Sequence, residues 1–155
     1  MMFNRILYTL GLTAAVLAAA PLTASAQTPG DYNYVGIGGS DEGFVVNGKL
    51  SLSENLSVRP AVSTDFDFDG DADVAYVLPI TYDFTSLDPN GRLNPFLGAG
   101  INGEIGDDSS VEAAVTGGAD YRFNDQWLVN GSVVWSPFNN GSDDVDFIAG
   151  IGYSF

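Results

Sequence analysis

The sequence predicts an all-β fold, an eight-stranded antiparallel up-and-down transmembrane β-barrel. Eight segments alternate apolar with polar or small residues, which is the pattern of a strand whose two faces meet different surroundings. Seven short breaks rich in Gly, Asn, Asp and Ser separate these segments. The apolar face carries no charged residue in any segment, and its aromatic residues lie near the segment ends.

The predicted strands follow one another along the chain with tight connections. They are Tyr32–Gly39, Phe44–Leu52, Leu56–Phe68, Val74–Phe84, Leu93–Ile105, Val111–Phe123, Trp127–Trp135 and Val145–Phe155. The last strand is the clearest, because its odd positions are all apolar whereas its even positions include Asp146, two glycines and Ser154. The first is the least regular, and we expect Val35 and Ile37 to share its apolar face.

The composition narrows the function classes before any site is considered. The 155 residues include 20 Asp and Glu, 5 Lys and Arg, and no His or Cys, which gives a net charge of −15. Without His or Cys the chain lacks a zinc site of the usual kind, a disulfide, a thiol nucleophile and a Ser-His-Asp triad. It also lacks the basic surface that nucleic acid binding requires. We therefore expect neither an enzyme nor a nucleic acid-binding protein.

The N-terminus has the order of a secretory signal peptide. Arg5 precedes a mainly apolar run over 6–20, and the Ala-Ser-Ala sequence at 24–26 is typical of a cleavage site. The run is short for a membrane-spanning helix, which needs about 20 residues. We predict a cleaved signal peptide at 1–26 and a β-barrel domain at 27–155.

The apolar face is suited to lipid. Aromatic residues such as Tyr82 and Trp127 lie toward one rim, and Phe44 and Trp135 lie toward the other, with aliphatic residues between them. Two aromatic girdles around an aliphatic belt are typical of a lipid-facing barrel wall. Closure of the sheet is required, because an open edge in hydrocarbon would leave backbone groups unpaired.

With these features the chain resembles the small eight-stranded outer-membrane β-barrels of Gram-negative-type bacteria, the OmpA/OmpX-like family. Its C-terminal sequence, with Ile151, Tyr153 and a final Phe155, is similar to the family's assembly signal, and its short turns at 52–56 and 123–127 match the family's periplasmic turns. The resemblance implies outer-membrane lipid, the secretion machinery and the barrel-assembly machinery as partners, and a monomer. The surface loops are shorter than the family's, so the resemblance does not extend to binding roles that long loops carry.

The resemblance also implies that both termini are periplasmic. The turns near 53–55, 85–92 and 124–126 would then be periplasmic, and the loops near 40–43, 68–72, 106–110 and 138–144 would face the outside.

The predicted lumen contains most of the basic residues. Lys49, Arg59 and Arg122 fall on its face toward the periplasmic end, within reach of Asp83 and Asp120. An eight-stranded barrel is just wide enough for side chains to fill it, and charges in it must be paired or hydrated. We expect a lumenal salt-bridge cluster of these five residues, in a lumen filled by polar side chains.

Acidic residues gather at the other end. Glu104, Glu112 and Asp146 would point into this mouth. The segment 65–73 fits D-x-D-x-D-G, the first half of an EF-hand loop, with candidate ligands Asp65, Asp67, Asp69, Asp71 and Asp73. Position 12 of that loop would be Tyr76 rather than Glu, and a strand with lipid and lumen faces explains the same alternation. We expect no resident cofactor, but loose association of Ca²⁺ or Mg²⁺ with this rim.

Four functions remain open on the sequence alone. The first is a structural or surface-stabilising role in the outer membrane. The second is a narrow, cation-preferring, porin-like channel. A ligand-binding barrel outside the membrane and a surface adhesion module are the others.

Overall fold

The computed structural model describes residues 31–64, 74–106, 109–139 and 142–155. The strands in these ranges are β1 Tyr34–Ser40, β2 Gly43–Ser53, β3 Leu56–Val58, β4 Ala61–Thr64, β5 Val74–Asp83, β6 Leu93–Ile105, β7 Ser110–Arg122, β8 Trp127–Asn139 and β9 Ser142–Ser154. The predicted signal peptide at 1–26 lies outside the described residues. Within them, no helix is long and apolar enough to cross a membrane.

All strand pairs are antiparallel, and the sheet closes on itself. Consecutive strands pair with each other, except that β3 and β4 together occupy the third position and both pair with β2 and β5. β1 pairs with β2 on one side and with β9 on the other, so that Val35 lies between Gly48 and Tyr153. The predicted eight-stranded antiparallel up-and-down barrel is therefore confirmed.

The third position differs from the continuous strand predicted from Leu56 onward. Pairing breaks at Arg59 and Pro60, because proline has no N–H to give to the ladder. The neighbouring strands remain joined there, since Arg59 N donates to Pro79 O at 3.2 Å and Gly48 N donates to Pro60 O at 3.0 Å. The break leaves the barrel closed and keeps the Arg59 side chain inside it.

The outer face carries the large apolar side chains. Exposed aliphatic residues such as Ile37, Ile80 and Ile151 cover the middle of the wall. Asp31 and Phe155, the first and last described residues, lie at one end of the barrel, which we call the terminal end. Near this end, aromatic residues pack edge to face in pairs. These pairs are Tyr82 with Phe84, Tyr121 with Phe123, and Trp127 with Tyr153, with ring centroids 5.1, 5.7 and 5.4 Å apart.

One turn at the terminal end is built around Asp88. Its carboxylate accepts hydrogen bonds from the backbone N–H groups of Arg92 at 2.6 Å and Leu93 at 2.8 Å, and from the Ser86 hydroxyl. These bonds, chiefly the one from Leu93, hold the pKa of Asp88 below its ordinary value. Gly91 completes the turn with a φ of 70°, a conformation that glycine adopts without strain.

Glycines on the inner face allow neighbouring strands to approach closely. A Cβ atom at Gly38 would overlap the carbonyl oxygen of Ala149 and lie 2.5 Å from the Cα of Gly150. A Cβ at the adjacent Gly39, which faces outward, would find its nearest neighbour, the carbonyl oxygen of Gly43, at 3.8 Å. The small radius of the barrel therefore depends on glycine at selected inward positions.

We predict that Gly38→Ala destabilises the barrel by about 1–3 kcal/mol, the usual cost of overpacking, because the backbone of β9 cannot move aside easily. Gly39→Ala is the matched control and should change the free energy of unfolding by less than about 0.5 kcal/mol. Urea-induced unfolding of the barrel in lipid vesicles measures both values. Equal effects of the two substitutions would contradict this account.

Candidate functional site in the barrel lumen

A cluster of ion pairs fills the lumen near the terminal end. Arg59 is at its centre, with Nη1 at 2.9 Å from Oδ2 of Asp120 and Nη2 at 3.0 Å from Oδ1 of Asp83. Lys49 Nζ lies 3.1 Å from the other oxygen of Asp83. All four residues are buried. Two positive and two negative groups thus face each other, so that their charges balance within the lumen.

Aromatic rings enclose this cluster. The Tyr32 hydroxyl donates to Oδ2 of Asp120 at 2.5 Å, and the Tyr32 ring lies 3.8 Å from Lys49 Nζ. The guanidinium of Arg59 stacks on Phe96, with its Cζ atom 3.6 Å from the ring centroid. Such cation–π contacts gain strength where water is excluded. We call the set Tyr32, Tyr34, Lys49, Arg59, Asp83, Phe96 and Asp120 the lumenal plug.

Hydroxyl groups on β3 and β5 complete the hydrogen bonding of the plug. Ser57 Oγ donates to Oδ2 of Asp83 at 2.5 Å, and Arg59 Nε donates to Oγ1 of Thr81 at 3.2 Å. Buried charges are costly unless both their partners and their remaining hydrogen bonds are supplied. The plug meets this condition through direct contacts between side chains.

Four of the five residues of the proposed salt-bridge cluster are joined in this way. The fifth, Arg122, lies beside the plug with its Cζ 4.8 Å from the Tyr32 ring, and its Nη2 donates to the carbonyl oxygen of Asp125 at 3.4 Å. Tyr32, Tyr34 and Phe96 were not among the predicted site residues. Parity along the chain could have identified them, because each occupies an inward position of an alternating segment.

A layer of apolar side chains crosses the lumen beyond the plug. It consists of Val45, Ala61, Ala114, Val134 and Ile148, with Val77 packed against them. Val45 is 0% exposed and Val134 is 1% exposed. The prediction of a lumen filled by polar side chains is therefore wrong for this layer, which we call the apolar belt. Side chains that meet each other across a narrow barrel can exclude water as a protein core does, so polar groups are unnecessary there.

The inward side chains change character in a fixed order along the lumen. From the terminal end, β2 presents Lys49, then Asn47, then Val45, and β9 ends its inward row with Ile148 followed by Asp146. The lumen therefore contains, in order from the terminal end, the plug, the Asn47 side chain, the apolar belt and an acidic mouth.

The acidic mouth surrounds a small cavity of about 50 Å³. Glu104, Glu112 and Asp146 line it, together with other polar side chains and the belt residues Val77 and Ile148. No group of three or more carboxylates among the described residues is placed to hold a metal ion. The candidate ligands Asp65, Asp67, Asp69, Asp71 and Asp73 lie outside the described residues.

Ile151 and Tyr153 of the proposed assembly signal lie near the end of β9, and Phe155 follows the strand. Ile151 and Tyr153 are exposed on the outer face. The Phe155 backbone N–H donates to the carbonyl oxygen of Asn33 at 3.1 Å, which joins the two ends of the described barrel beside the seam between β1 and β9.

Comparison with solved structures finds the same architecture in several proteins. No protein-family model matches the chain, and neither does any curated protein sequence. The N-terminal β-barrel domain of OprF from Pseudomonas aeruginosa matches with a TM-score of 0.58 at 14% identity, over 81% of this chain and 98% of that domain. Ail from Yersinia pestis, in a nanodisc, matches with a TM-score of 0.54 at 13% identity, over 80% and 99%. The chain has the fold of the small eight-stranded outer-membrane barrels.

A designed protein also has this fold. A de novo transmembrane β-barrel matches with a TM-score of 0.55 at 18% identity, over 83% of this chain and 98% of the design. Sequence identities this low mean that the shared property is the arrangement of strands.

We predict that Asp120→Asn destabilises the barrel by about 3 kcal/mol, because it removes one of the two negative charges that balance Arg59 and Lys49 in a buried site. Asp125→Asn makes the same change of net charge at an exposed turn residue and should have an effect below about 0.5 kcal/mol. Urea-induced unfolding in lipid vesicles measures both. A stability loss no larger for Asp120→Asn than for Asp125→Asn would show that the plug does not stabilise the fold.

Proposed function

We propose that this chain is an outer-membrane β-barrel protein with a structural or surface-stabilising role and a lumen closed to solutes. The single observation that carries the proposal is that two different layers, the lumenal plug and the apolar belt, fill the lumen one after the other. A barrel that conducts needs a continuous water-filled path, whereas the plug occupies the lumen with paired side chains and the apolar belt offers an ion no polar partners. We propose no catalytic role for it.

The outer wall supports the membrane location. Its exposed aliphatic and aromatic side chains are arranged as lipid requires, and the structural matches include proteins of bacterial outer membranes. The signal-peptide pattern at 1–26 is consistent with export. In this orientation the terminal end faces the periplasm and the acidic mouth faces outward, with the barrel acting as a monomer among lipids.

A narrow cation-preferring channel is the second candidate. The acidic mouth favours it, because Glu104, Glu112 and Asp146 would concentrate cations at the entrance. The apolar belt argues against it, since an ion in that layer would lose its hydration shell without receiving polar partners.

We predict that the refolded protein runs faster on a gel before boiling than after it, as a closed barrel in detergent does, and that it gives no sustained current in a planar bilayer. The gel tests the barrel, and the bilayer recording tests the closed lumen. Boiled protein and protein-free detergent are the controls. Sustained cation-selective openings would favour the channel, and unchanged mobility after boiling would contradict the membrane barrel.

We also propose that the outer rim associates loosely with Ca²⁺ or Mg²⁺. At low ionic strength, calorimetry should detect calcium binding that weakens as NaCl is added, because screening reduces the attraction between exposed charges. The triple variant Glu104→Gln, Glu112→Gln, Asp146→Asn should bind less. Glu54→Gln, which changes an exposed carboxylate in a turn at the terminal end, should leave binding unchanged. Wild-type protein that releases or absorbs no heat with calcium would contradict the proposal.

A further inference from the structure

Two buried amide side chains face each other between the plug and the apolar belt. Asn47 on β2 and Asn130 on β8 are 6% and 8% exposed, and Asn47 Nδ2 donates to Asn130 Oδ1 at 2.6 Å. Among the described residues, Asn47 Oδ1 and Asn130 Nδ2 have no hydrogen-bond partner. If the amide oxygen and nitrogen of both side chains were exchanged, Asn130 would donate to Asn47 instead. One oxygen and one amino group would still lack partners.

A cavity adjoins this pair. Its volume is about 30 Å³, and both asparagines line it together with Tyr34, Arg59, Thr116 and the belt residue Val134. Holding one water molecule takes roughly 10–15 Å³ by the same measure, so the cavity has room for one or two. A site that is polar on one side and large enough for water is where buried water is found.

Gly36 creates the room for the Asn47 amide. A Cβ atom at Gly36 would lie only 2.5 Å from Asn47 Oδ1. Any larger residue at Gly36 would therefore push the Asn47 amide out of its position.

The chemistry of the unpartnered atoms selects the ligand. One is an acceptor and the other is a donor, so a cation would satisfy only Asn47 and an anion only Asn130. Water donates to the first and accepts from the second.

We propose that the Asn47–Asn130 pair is an internal hydration site, which holds one or two ordered water molecules between the lumenal plug and the apolar belt. The site lies within the closed lumen of the proposed function but does not require an outer-membrane location. The plug limits water exchange toward the terminal end, and the apolar belt limits it toward the acidic mouth. Water in the site therefore stays longer than water at the surface.

The test is a measurement of dipolar contact between water and side-chain amide protons by NMR, on the refolded barrel in nanodiscs. We expect the amides of Asn47 and Asn130 to show contact with long-lived water. In Asn47→Leu, whose side chain fills the cavity, the contact at Asn130 should disappear. Asn94→Leu is the matched control, because Asn94 is a buried asparagine that does not line this cavity, and it should leave the Asn130 contact unchanged.

The outcomes separate this inference from the proposed function. Absence of water contact at both amides in the wild-type protein would overturn the hydration site, even if Asn47→Leu fails to fold. Persistence of the Asn130 contact in folded Asn47→Leu would also overturn it. A bilayer current would contradict the closed lumen, but it would not remove a long-lived water signal at these two side chains.

Discussion

The pairing of every backbone polar group around a closed ring is the constraint on which the rest of this structure depends. In hydrocarbon an unpaired N–H or C=O group costs several kcal/mol, so the ladder that begins at β1 must end on β1, as it does through β9. Closure with eight strands sets the radius, and the radius sets how much can lie inside. Inward glycines such as Gly38 follow from this, because the backbones of neighbouring strands curve toward each other on the inner face.

The narrow lumen is filled by two different kinds of side chain. Near the terminal end, space is filled by charged and aromatic side chains whose charges balance, with Arg59 bridging Asp83 and Asp120. Farther along, aliphatic side chains such as Val45 and Val134 fill the space without charged groups. In the plug, removal of one ionic partner would leave a buried charge unpaired, which is costly in free energy. The stability of the apolar belt depends instead on the shape and volume of its side chains.

Much of the wall could be predicted from the sequence, but less of the lumen. The two-residue alternation identifies the strands because each one separates an apolar outer face from the interior of the barrel, so the residue type changes at every second position. The same alternation places Lys49, Arg59, Asp83 and Asp120 inside and at similar depth. It does not show which side chains contact each other across the lumen, because those contacts depend on the register and tilt of the strands. For that reason the stacking of Arg59 on Phe96, the role of Tyr32 and the apolar belt were not predicted, nor was the break at Pro60.

The order of layers also shows how so acidic a chain distributes its few basic groups. Only four basic residues follow the predicted signal peptide, and two of them, Lys49 and Arg59, are used to neutralise Asp83 and Asp120. The acids of the mouth, including Glu104 and Asp146, therefore depend on water and mobile ions for compensation, which requires contact with solvent. The apolar belt lies between these two regions. Its aliphatic side chains separate the negatively charged mouth from the ion pairs of the plug, and the burial of those ion pairs strengthens the attraction between their opposite charges.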